Sequence, residues 1–335
     1  MHAWGVELPR SLVWRDGVEV AQDISPSELE ALRGEANTVV WFDLIAPSRE
    51  TLDRLADELG LDPLAVDDVI EPKERPKATR HDGHTFLTCY VVDLDRPGDG
   101  RVELRLARLS AFVLPNALIT VRSSDSIDID RIVNRWAEDG LTGHGVAALV
   151  HGMLDEVVDG HFEVITALDE DIDDLEDLLF ERERKASEVQ QRVFALRKAL
   201  VRLRRVVLPM REVVGAVMRF RDERDIPLAG ELDGYFNDLY DHVVRAAEWT
   251  ESLRDMITSV FETNLSLQDA RLNEIMKKLA AWAAIIAVPT AVTGWFGQNL
   301  PYPGFASDFG LWQSVASILI GSVGLYLIFR RADWI

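Results

Sequence analysis

The chain has 335 residues, of which 47% are hydrophobic, and its 36 lysines and arginines stand against 57 aspartates and glutamates, for a formal net charge of -21. This acidic balance argues against a nucleic-acid partner, which requires a basic surface, and is compatible with cationic partners. The one cysteine, Cys89, cannot form an intrachain disulfide, which suits a reducing compartment and excludes a cysteine metal cluster within one subunit.

Residues 1–144 have the mixed pattern of an α/β domain. Four segments rich in β-branched and aromatic residues predict strands: 39–44, 86–94, 102–114 and 117–121. Ser48 stands where a helix N-cap is expected, because leucines follow it at helical spacing. We therefore expect an α/β domain in the cytoplasm over residues 1–144.

Two long antiparallel helices are predicted over residues 145–233, where apolar residues fall three and four positions apart. Thirteen acids and one arginine lie between Asp155 and Glu183, and the sign of the charge reverses between Arg184 and Arg205. We interpret the acids as a solvated helix face; electrostatic coupling to basic residues near a membrane is the alternative.

One very long helix is predicted next. Neither glycine nor proline occurs between Gly234 and Pro289, so residues 235–288 can form a helix of roughly 80 Å at 1.5 Å per residue. Its polar positions make it too polar for a buried core helix, and such helices usually pack against copies of themselves. We expect a cytoplasmic stalk over residues 234–278.

The end of the chain predicts a membrane hairpin. Two uncharged apolar segments can each cross a hydrocarbon core of about 30 Å. We expect membrane helices at 279–297 and 311–329, an extracytoplasmic loop at 298–310 and a basic C-terminus at 330–335. Two buried helices of a soluble core are the alternative, but core helices of this length are seldom uncharged on all faces.

Basic residues flank the two spans and predict the orientation: Lys277, Lys278, Arg330 and Arg331. Because the intervening loop has no cation, both termini should be cytoplasmic, in a multi-pass protein of the plasma (inner) membrane. Two spans cannot enclose an aqueous path, so transport would require identical subunits around an axis. No nucleotide, dinucleotide or zinc motif is present, so we expect neither an enzyme nor an organic cofactor.

The residues Gly297-Gln298-Asn299 open the loop after the first span. Three other segments accompany them: Val288 to Gly294 directly before this loop, Phe329 to Ile335 at the end of the chain, and Tyr240-Asp241-His242 in the stalk. Together they resemble landmarks of the CorA family of magnesium transport proteins, whose signature is Gly-Met-Asn. The resemblance implies an α+β membrane protein. Its parts would be the N-terminal α/β domain, long antiparallel helices, a stalk and pore helix, and a transmembrane hairpin, assembled as a homopentamer.

The resemblance implies a selectivity filter at Gly297, Gln298 and Asn299. Asn299 would present five amide oxygens to a hydrated cation, with the Gly297 carbonyl as a second ring, since Mg²⁺ sheds its water reluctantly. Asn299 could also serve as a helix C-cap. The family pattern further implies a pore lining: Thr290, Ala287, Leu279, Met276 and Asn273. For Met276 and Leu279, ordinary helix packing is the alternative to an apolar gate.

Closure is attributed in the family to cytoplasmic cations that bridge subunits, so Mg²⁺ would be both the transported and the regulatory ion. The matching stalk residues are Asp238 and Asp241, which share one helix face. The expected partners lie in the α/β domain: Asp93, Asp95 and Asp99. Alternatively, Asp238 and Asp241 merely favour the helix N-terminus through its dipole. The four flanking basic residues would form a basic ring.

Three functions are compatible with these residues. The first is a passive, Mg²⁺-gated channel for Mg²⁺, with Co²⁺ and Ni²⁺ as further ions. The second is a proton-coupled Zn²⁺ transporter on the same scaffold, and the third is a non-conducting sensor or scaffold. Gln298 in place of methionine and a loop with one acid, Asp308, leave the ion preference open.

Overall fold

The computed structural model describes residues 10–32, 34–35, 37–71, 74–97, 102–125, 127–138, 141–180, 186–222, 229–298, 301–305 and 307–335. Within these ranges, seven strands form one sheet: β1 (Arg10–Arg15), β2 (Val18–Gln22), β3 (Thr38–Ile45), β4 (Lys77–Arg80), β5 (Thr85–Asp95), β6 (Glu103–Val113) and β7 (Ala117–Arg122). The strand order is β2-β1-β3-β7-β6-β5-β4. β3 and β7 pair in parallel, and the other neighbours are antiparallel.

The described helices are α1 (Pro26–Leu32), α2 (Arg49–Leu59), α3 (Pro63–Ile70), α4 (Ile129–Glu138), α5 (Gly145–Phe180), α6 (Ala186–Val207), α7 (Met210–Asp222), α8 (Asp233–Phe296) and α9 (Asp308–Arg331). Two compact units divide the chain, the first ending at Val260 and the second beginning at Phe261. The predicted fold, an α/β domain followed by a very long helix and two C-terminal apolar helices, is confirmed.

The first unit buries both faces of its sheet. Successive side chains of a strand point to opposite faces, so Val40 and Phe42 of β3 pack in a core with α1, α2 and α3. Val39 and Trp41 pack on the other side, in a core to which α4, α5, α7 and α8 contribute. Each fully buried side chain of this kind stabilises the fold by about 1.5–3 kcal/mol.

The strand predictions and the structure differ towards the two ends of the sheet, where β2 and β1 lie at one end and β4 at the other. The four predicted strands correspond to β3, β5, β6 and β7, whereas β1, β2 and β4 were not predicted. The predicted N-cap is present: the Ser48 hydroxyl accepts a hydrogen bond from the Thr51 N–H at 3.1 Å. This cap satisfies one of the free N–H groups at the start of α2.

In the second unit, α8 continues through Pro289. A proline lacks the N–H that would bond the carbonyl four residues earlier. Neighbouring hydroxyls bond back to the helix, with Thr290 Oγ1 donating to the Ile286 carbonyl (3.2 Å) and Thr293 Oγ1 to the Pro289 carbonyl (2.8 Å). Such bonds accompany prolines in membrane helices. By length and composition, α8 and α9 can each cross a membrane.

Candidate functional site

Helices α8 and α9 pack through one face of α8. Ala281 is fully buried on this face, and the partly buried Ile285, Val288 and Val292 follow at intervals of three or four residues. Gly321 of α9 lies against Val288 of α8. A Cβ atom added to Gly321 would come within 2.8 Å of Val288 Cγ1. The glycine therefore lets the α9 backbone approach α8 closely.

The residues predicted to line an ion path lie on a different face of α8. Successive residues are rotated by about 100° around a helix. Met276, Leu279, Ala287 and Thr290 therefore point away from the face that α9 covers, and Asn273 lies at the margin. All five are exposed, with 66% of Met276 and 69% of Leu279 accessible. The described part of the chain leaves this face open to another molecule.

Helix α8 ends directly before the predicted filter. The Gly297 N–H donates to the Thr293 carbonyl at 2.8 Å, and the Gln298 N–H donates to the Trp295 carbonyl at 3.4 Å. A Cβ atom at position 297 would lie 2.9 Å from the Thr293 oxygen, so the turn requires a glycine. Asn299 lies outside the described residues.

An aromatic cluster holds the loop after α8. The Tyr302 ring lies edge-on to the rings of Phe296 and Phe305, with centroids 5.1 and 5.4 Å apart. The Tyr302 hydroxyl donates to the Phe296 carbonyl at 3.4 Å. Gly304 contacts Gly310 so closely that a Cβ atom on Gly310 would overlap the Gly304 carbonyl oxygen. Sequence reasoning missed this anchor, although an aromatic residue between two prolines was an available signal.

The basic residues at the ends of the apolar segments are exposed: Lys277, Lys278, Arg330 and Arg331. The Lys278 ammonium donates to the Glu274 carboxylate one helical turn away, at 2.8 Å. Trp334 stacks on Phe329 beside the end of α9, with ring centroids 5.4 Å apart. These positions fit the expected basic flanks, and a basic ring formed by several subunits stays a prediction.

Three ligand-type side chains from α5 and α8 lie together in the first unit. Asp155, Asp159 and His242 each offer one ligand atom, and these atoms lie within 4.8 Å of one another in a partly buried position. His242 Nδ1 is buried without a hydrogen-bond partner in the described part of the chain. Carboxylates suit Mg²⁺, and imidazole suits Co²⁺, Ni²⁺ and Zn²⁺. The three side chains, here named the α5–α8 cluster, therefore fit a divalent cation.

Asp238 lies at the edge of the α5–α8 cluster. Its Oδ2 is 3.7 Å from His242 Nε2, and 74% of its side chain is exposed. Asp241 is exposed and does not belong to the cluster. Sequence reasoning missed Asp155 and Asp159 as ligands because the two helices are far apart in the chain. The signal available was the pair of acids, four residues apart, that interrupts an apolar run of α5.

The acids predicted as partners of Asp238 lie on or after β5. Asp95 forms an ion pair with Arg105 on β6, and Asp93 is exposed on the same strand. Neither of them belongs to the α5–α8 cluster, and Asp99 lies outside the described residues. A bridging role for these three acids therefore stays a prediction.

Two other histidines of α5 have structural partners. His161 is buried, and its Nε2 donates to the Tyr90 carbonyl on β5 at 2.8 Å. Burial lowers the pKa of His161 to about 4, so the ring is neutral at physiological pH. His151 Nε2 lies 3.2 Å from the Tyr235 carbonyl of α8. These contacts attach α5 to the sheet and to the start of α8. They therefore fix the position of α5 on both sides of Asp155 and Asp159.

The chain is similar to known proteins over nearly its whole length. The family model described as "CorA-like Mg2+ transporter protein" matches residues 36–331. The cobalt/magnesium transport protein CorA of Thermotoga maritima is 26% identical over 307 residues, which cover 90% of this chain and 85% of that protein.

Two solved structures share the fold. The complete structure of the CorA magnesium transporter from Methanocaldococcus jannaschii has a TM-score of 0.72 and 22% identity, and the match covers 97% of this chain and 98% of that one. The structure of the full-length CmaX protein has a TM-score of 0.73 and 21% identity, over 98% and 99% of the two chains.

Proposed function

This chain belongs to the CorA-like Mg²⁺ transporter family, and from that premise we propose that it is a passive channel for Mg²⁺ uptake, with Co²⁺ and Ni²⁺ as further ions. Family membership makes it a divalent-cation transporter of the membrane. The ion path, the gate and the regulatory cation are the finer parts of the proposal.

The path requires several copies of the chain. The described residues include two helices able to span a membrane, and two helices cannot surround a water-filled path. Identical subunits around one axis can, and symmetry then turns each lining residue into a ring. We assign five subunits, as the family resemblance implies, and place both termini in the cytoplasm, as the flanking basic residues indicate.

The observation that carries the proposal is the accessible face of α8. Since α9 covers the face around Val288, the opposite face is available to line a path. Thr290 and Ala287 would give a small, partly polar wall at the outer end. Met276 and Leu279 would form an apolar collar at the inner end. An apolar constriction stops ions by excluding water, so the collar is the proposed gate.

The proposed filter is uncharged, and this suits a hydrated cation. Mg²⁺ keeps several of its waters when bound. The Gly297 carbonyl and the amides of Gln298 and Asn299 would accept hydrogen bonds from that water shell. A membrane potential of 100 mV supplies about 2.3 kcal/mol per charge, hence about 4.6 kcal/mol for a divalent ion, which is sufficient drive without ATP.

The α5–α8 cluster is the proposed regulatory site. A divalent cation there would join α5 to α8 and offset the repulsion between Asp155 and Asp159. The exposed Asp238 at its edge could extend the site to a neighbouring subunit. When the cytoplasm is poor in Mg²⁺, the unneutralised carboxylates would favour a looser, open arrangement of α8.

The regulatory site is tested by protection from proteolysis. Asp159→Asn should raise the Mg²⁺ concentration that protects the full-length protein roughly tenfold, since one charged ligand contact is worth about 1.4 kcal/mol or more. Glu248→Gln is the control, because Glu248 is exposed on the same helix as His242 but lies outside the cluster. Equal effects of the two variants would remove the cluster from regulation.

The imidazole of His242 favours one alternative, a proton-coupled Zn²⁺ transporter on the same scaffold. Ion entry into proteoliposomes under an inside-negative potential, with and without a pH gradient, distinguishes the two. Mg²⁺ entry that follows the potential and ignores the pH gradient would support the channel. Zn²⁺ entry that follows the pH gradient would support the transporter.

A further inference from the structure

Helix α5 carries an unneutralised acidic surface. Glu170, Asp173, Asp174 and Asp177 are all exposed and lie at i, i+3, i+4 and i+7, which places them on one helix face. Within the described residues none of the four forms an ion pair. Like charges at this spacing repel one another. These four residues are named the acidic stripe.

Helix α6 carries the opposite surface. Phe194, Arg197, Lys198, Val201 and Arg205 share one face by the same spacing. Phe194 is 70% and Val201 42% exposed, and the three cations are exposed without an ion pair in the part of the chain that the structure describes. Apolar side chains flanked by cations are typical of a helix face that binds a partner. These five residues are named the basic stripe.

The remaining faces of the two helices are already used. Leu168, Ile172 and Leu175 of α5 and Leu196 and Leu203 of α6 are buried. The two stripes are therefore what α5 and α6 still present to a partner. The described ion pairs do not join one stripe to the other within a chain. A second copy of the chain brings an acidic stripe of matching spacing to each basic stripe.

We propose that the acidic stripe of one copy packs against the basic stripe of the next copy in the assembly. Opposite charges on facing helices pair across such contacts and select the partner. The alkyl parts of Lys198 and Arg205 and the helix of the next copy would together cover Phe194 and Val201. A contact between two different surfaces is heterologous, and it closes into a ring under cyclic symmetry.

The inference rests on the proposed assembly of identical copies, not on the ion conducted. It is tested by charge reversal in the full-length protein in lipid nanodiscs and detergent. The acidic variant carries Glu170→Lys, Asp174→Lys and Asp177→Lys. The basic variant carries Arg197→Glu, Lys198→Glu and Arg205→Glu. A combined variant carries all six changes. Asp57→Lys on the exposed side of α2 is the control.

Native mass spectrometry on dilution measures the fraction of dissociated subunits. We expect each three-residue variant to dissociate at least tenfold more readily than wild type, and the combined variant to return within twofold of wild type, because it restores opposite charges. Asp57→Lys should behave as wild type. High salt should weaken the wild-type contact, since exposed charges are screened.

Four results would overturn the contact. Absence of rescue in the combined variant, or wild-type behaviour of both three-residue variants, removes it while leaving the assembly and the proposed function in place. In another result, the basic variant alone dissociates more readily, and only in nanodiscs that contain phosphatidylglycerol. That result assigns the basic stripe to lipid binding. A monomeric wild-type protein contradicts both the contact and the proposed function.

Discussion

The two compact units use their apolar residues in opposite ways. In the first unit, Trp41 and Phe86 are 2% and 0% exposed, inside cores on both faces of the sheet. In the second, Leu279, Trp312 and Ile320 are 69%, 69% and 74% exposed. Each Å² of apolar surface left in water forgoes about 25 cal/mol. The first unit therefore completes its own core, whereas the second requires lipid and, in the proposed function, copies of itself.

The polar groups of the two units also differ in how far they are exposed. In the first unit, the Arg122 guanidinium donates to both carboxylate oxygens of Asp43, and the Thr120 hydroxyl donates to Oδ1 at 2.5 Å. Burial raises the pKa of Asp43, and the bonds from Arg122 and Thr120 oppose that shift. In the second unit, Thr290 faces outward. The Arg122–Asp43 pair is thus enclosed in the first unit, whereas the Thr290 hydroxyl, which donates to the Ile286 carbonyl within α8, is accessible to water or an ion.

The largest effect should follow a change at the proposed filter. Asn299→Ala should lower Mg²⁺ flux into proteoliposomes roughly a hundredfold, because hydrogen bonds to a charged ion shell are worth about 1.5–3 kcal/mol each. Assembly and the unfolding of the first unit should not change. Gln313→Ala, at an exposed position of α9, is the control. Preserved flux in Asn299→Ala would remove this residue from the filter.

The buried His161 should make the stability of the first unit fall at acidic pH. The pKa of His161 is about 4 in the folded state and about 6.5 in the unfolded chain. Below about pH 6.5 the unfolded chain binds the proton first, so stability is lost as the pH falls from 6.5 towards 4. Between pH 7 and pH 5 the free energy of unfolding should fall by about 2 kcal/mol.

Denaturant unfolding of the full-length protein, followed at both pH values, measures this loss. His161→Gln should remove most of the pH dependence, whatever it does to stability at pH 7. His144→Gln, at a partly exposed histidine, should retain it. A pH dependence that survives in His161→Gln would show that another group carries it.

An intermediate effect is expected at the collar. Met276→Ser or Leu279→Ser should increase resting Mg²⁺ leak roughly tenfold, since a polar side chain there stabilises water in the constriction. Ile320→Ser, at an equally exposed apolar position of α9, should leave the leak unchanged. If all three variants behave alike, exposure to lipid rather than an ion path explains the accessible face of α8.

The smallest effect tests the packing inside the second unit. Gly321→Ala places a methyl group 2.8 Å from Val288 Cγ1 and should destabilise the α8–α9 contact by about 1 kcal/mol. Gly324→Ala is the matched control, because a Cβ atom there has no neighbour within 4 Å. Thermal unfolding of the two variants in detergent should separate them, and equal stability would contradict the described contact.

Much of the fold could be predicted from the sequence. Apolar periodicity predicted the long helices, and buried segments such as β5 and β7 predicted strands, because their patterns are local. β2 was missed because it has only five residues, all of them exposed, and so lacks a buried apolar segment. β4 has only four residues. The sheet order, with β7 next to β3, depends on contacts between distant segments, and single-sequence patterns do not contain them.

The candidate site could be predicted only in part. The α8 positions followed from the family resemblance, and they share an accessible face in the structure. The α5–α8 cluster was missed because Asp159 and His242 meet only when two helices pack. The membrane helix predicted over 279–297 includes Pro289, and α8 does continue through that proline to Phe296. The hydroxyl bonds of Thr290 and Thr293 that accompany this continuation depend on side-chain geometry, which the sequence pattern does not contain.

The central claim is that the face of α8 turned away from α9 lines the ion path. It is tested by single cysteines and a charged methanethiosulfonate reagent, with Mg²⁺ flux into proteoliposomes as the readout. The native Cys89 is fully buried, and burial raises its pKa to about 12, so it should not react. Block in Thr290→Cys and Ala287→Cys, without block in Val288→Cys or Val292→Cys, is the predicted result. Block only at the latter pair would contradict the claim.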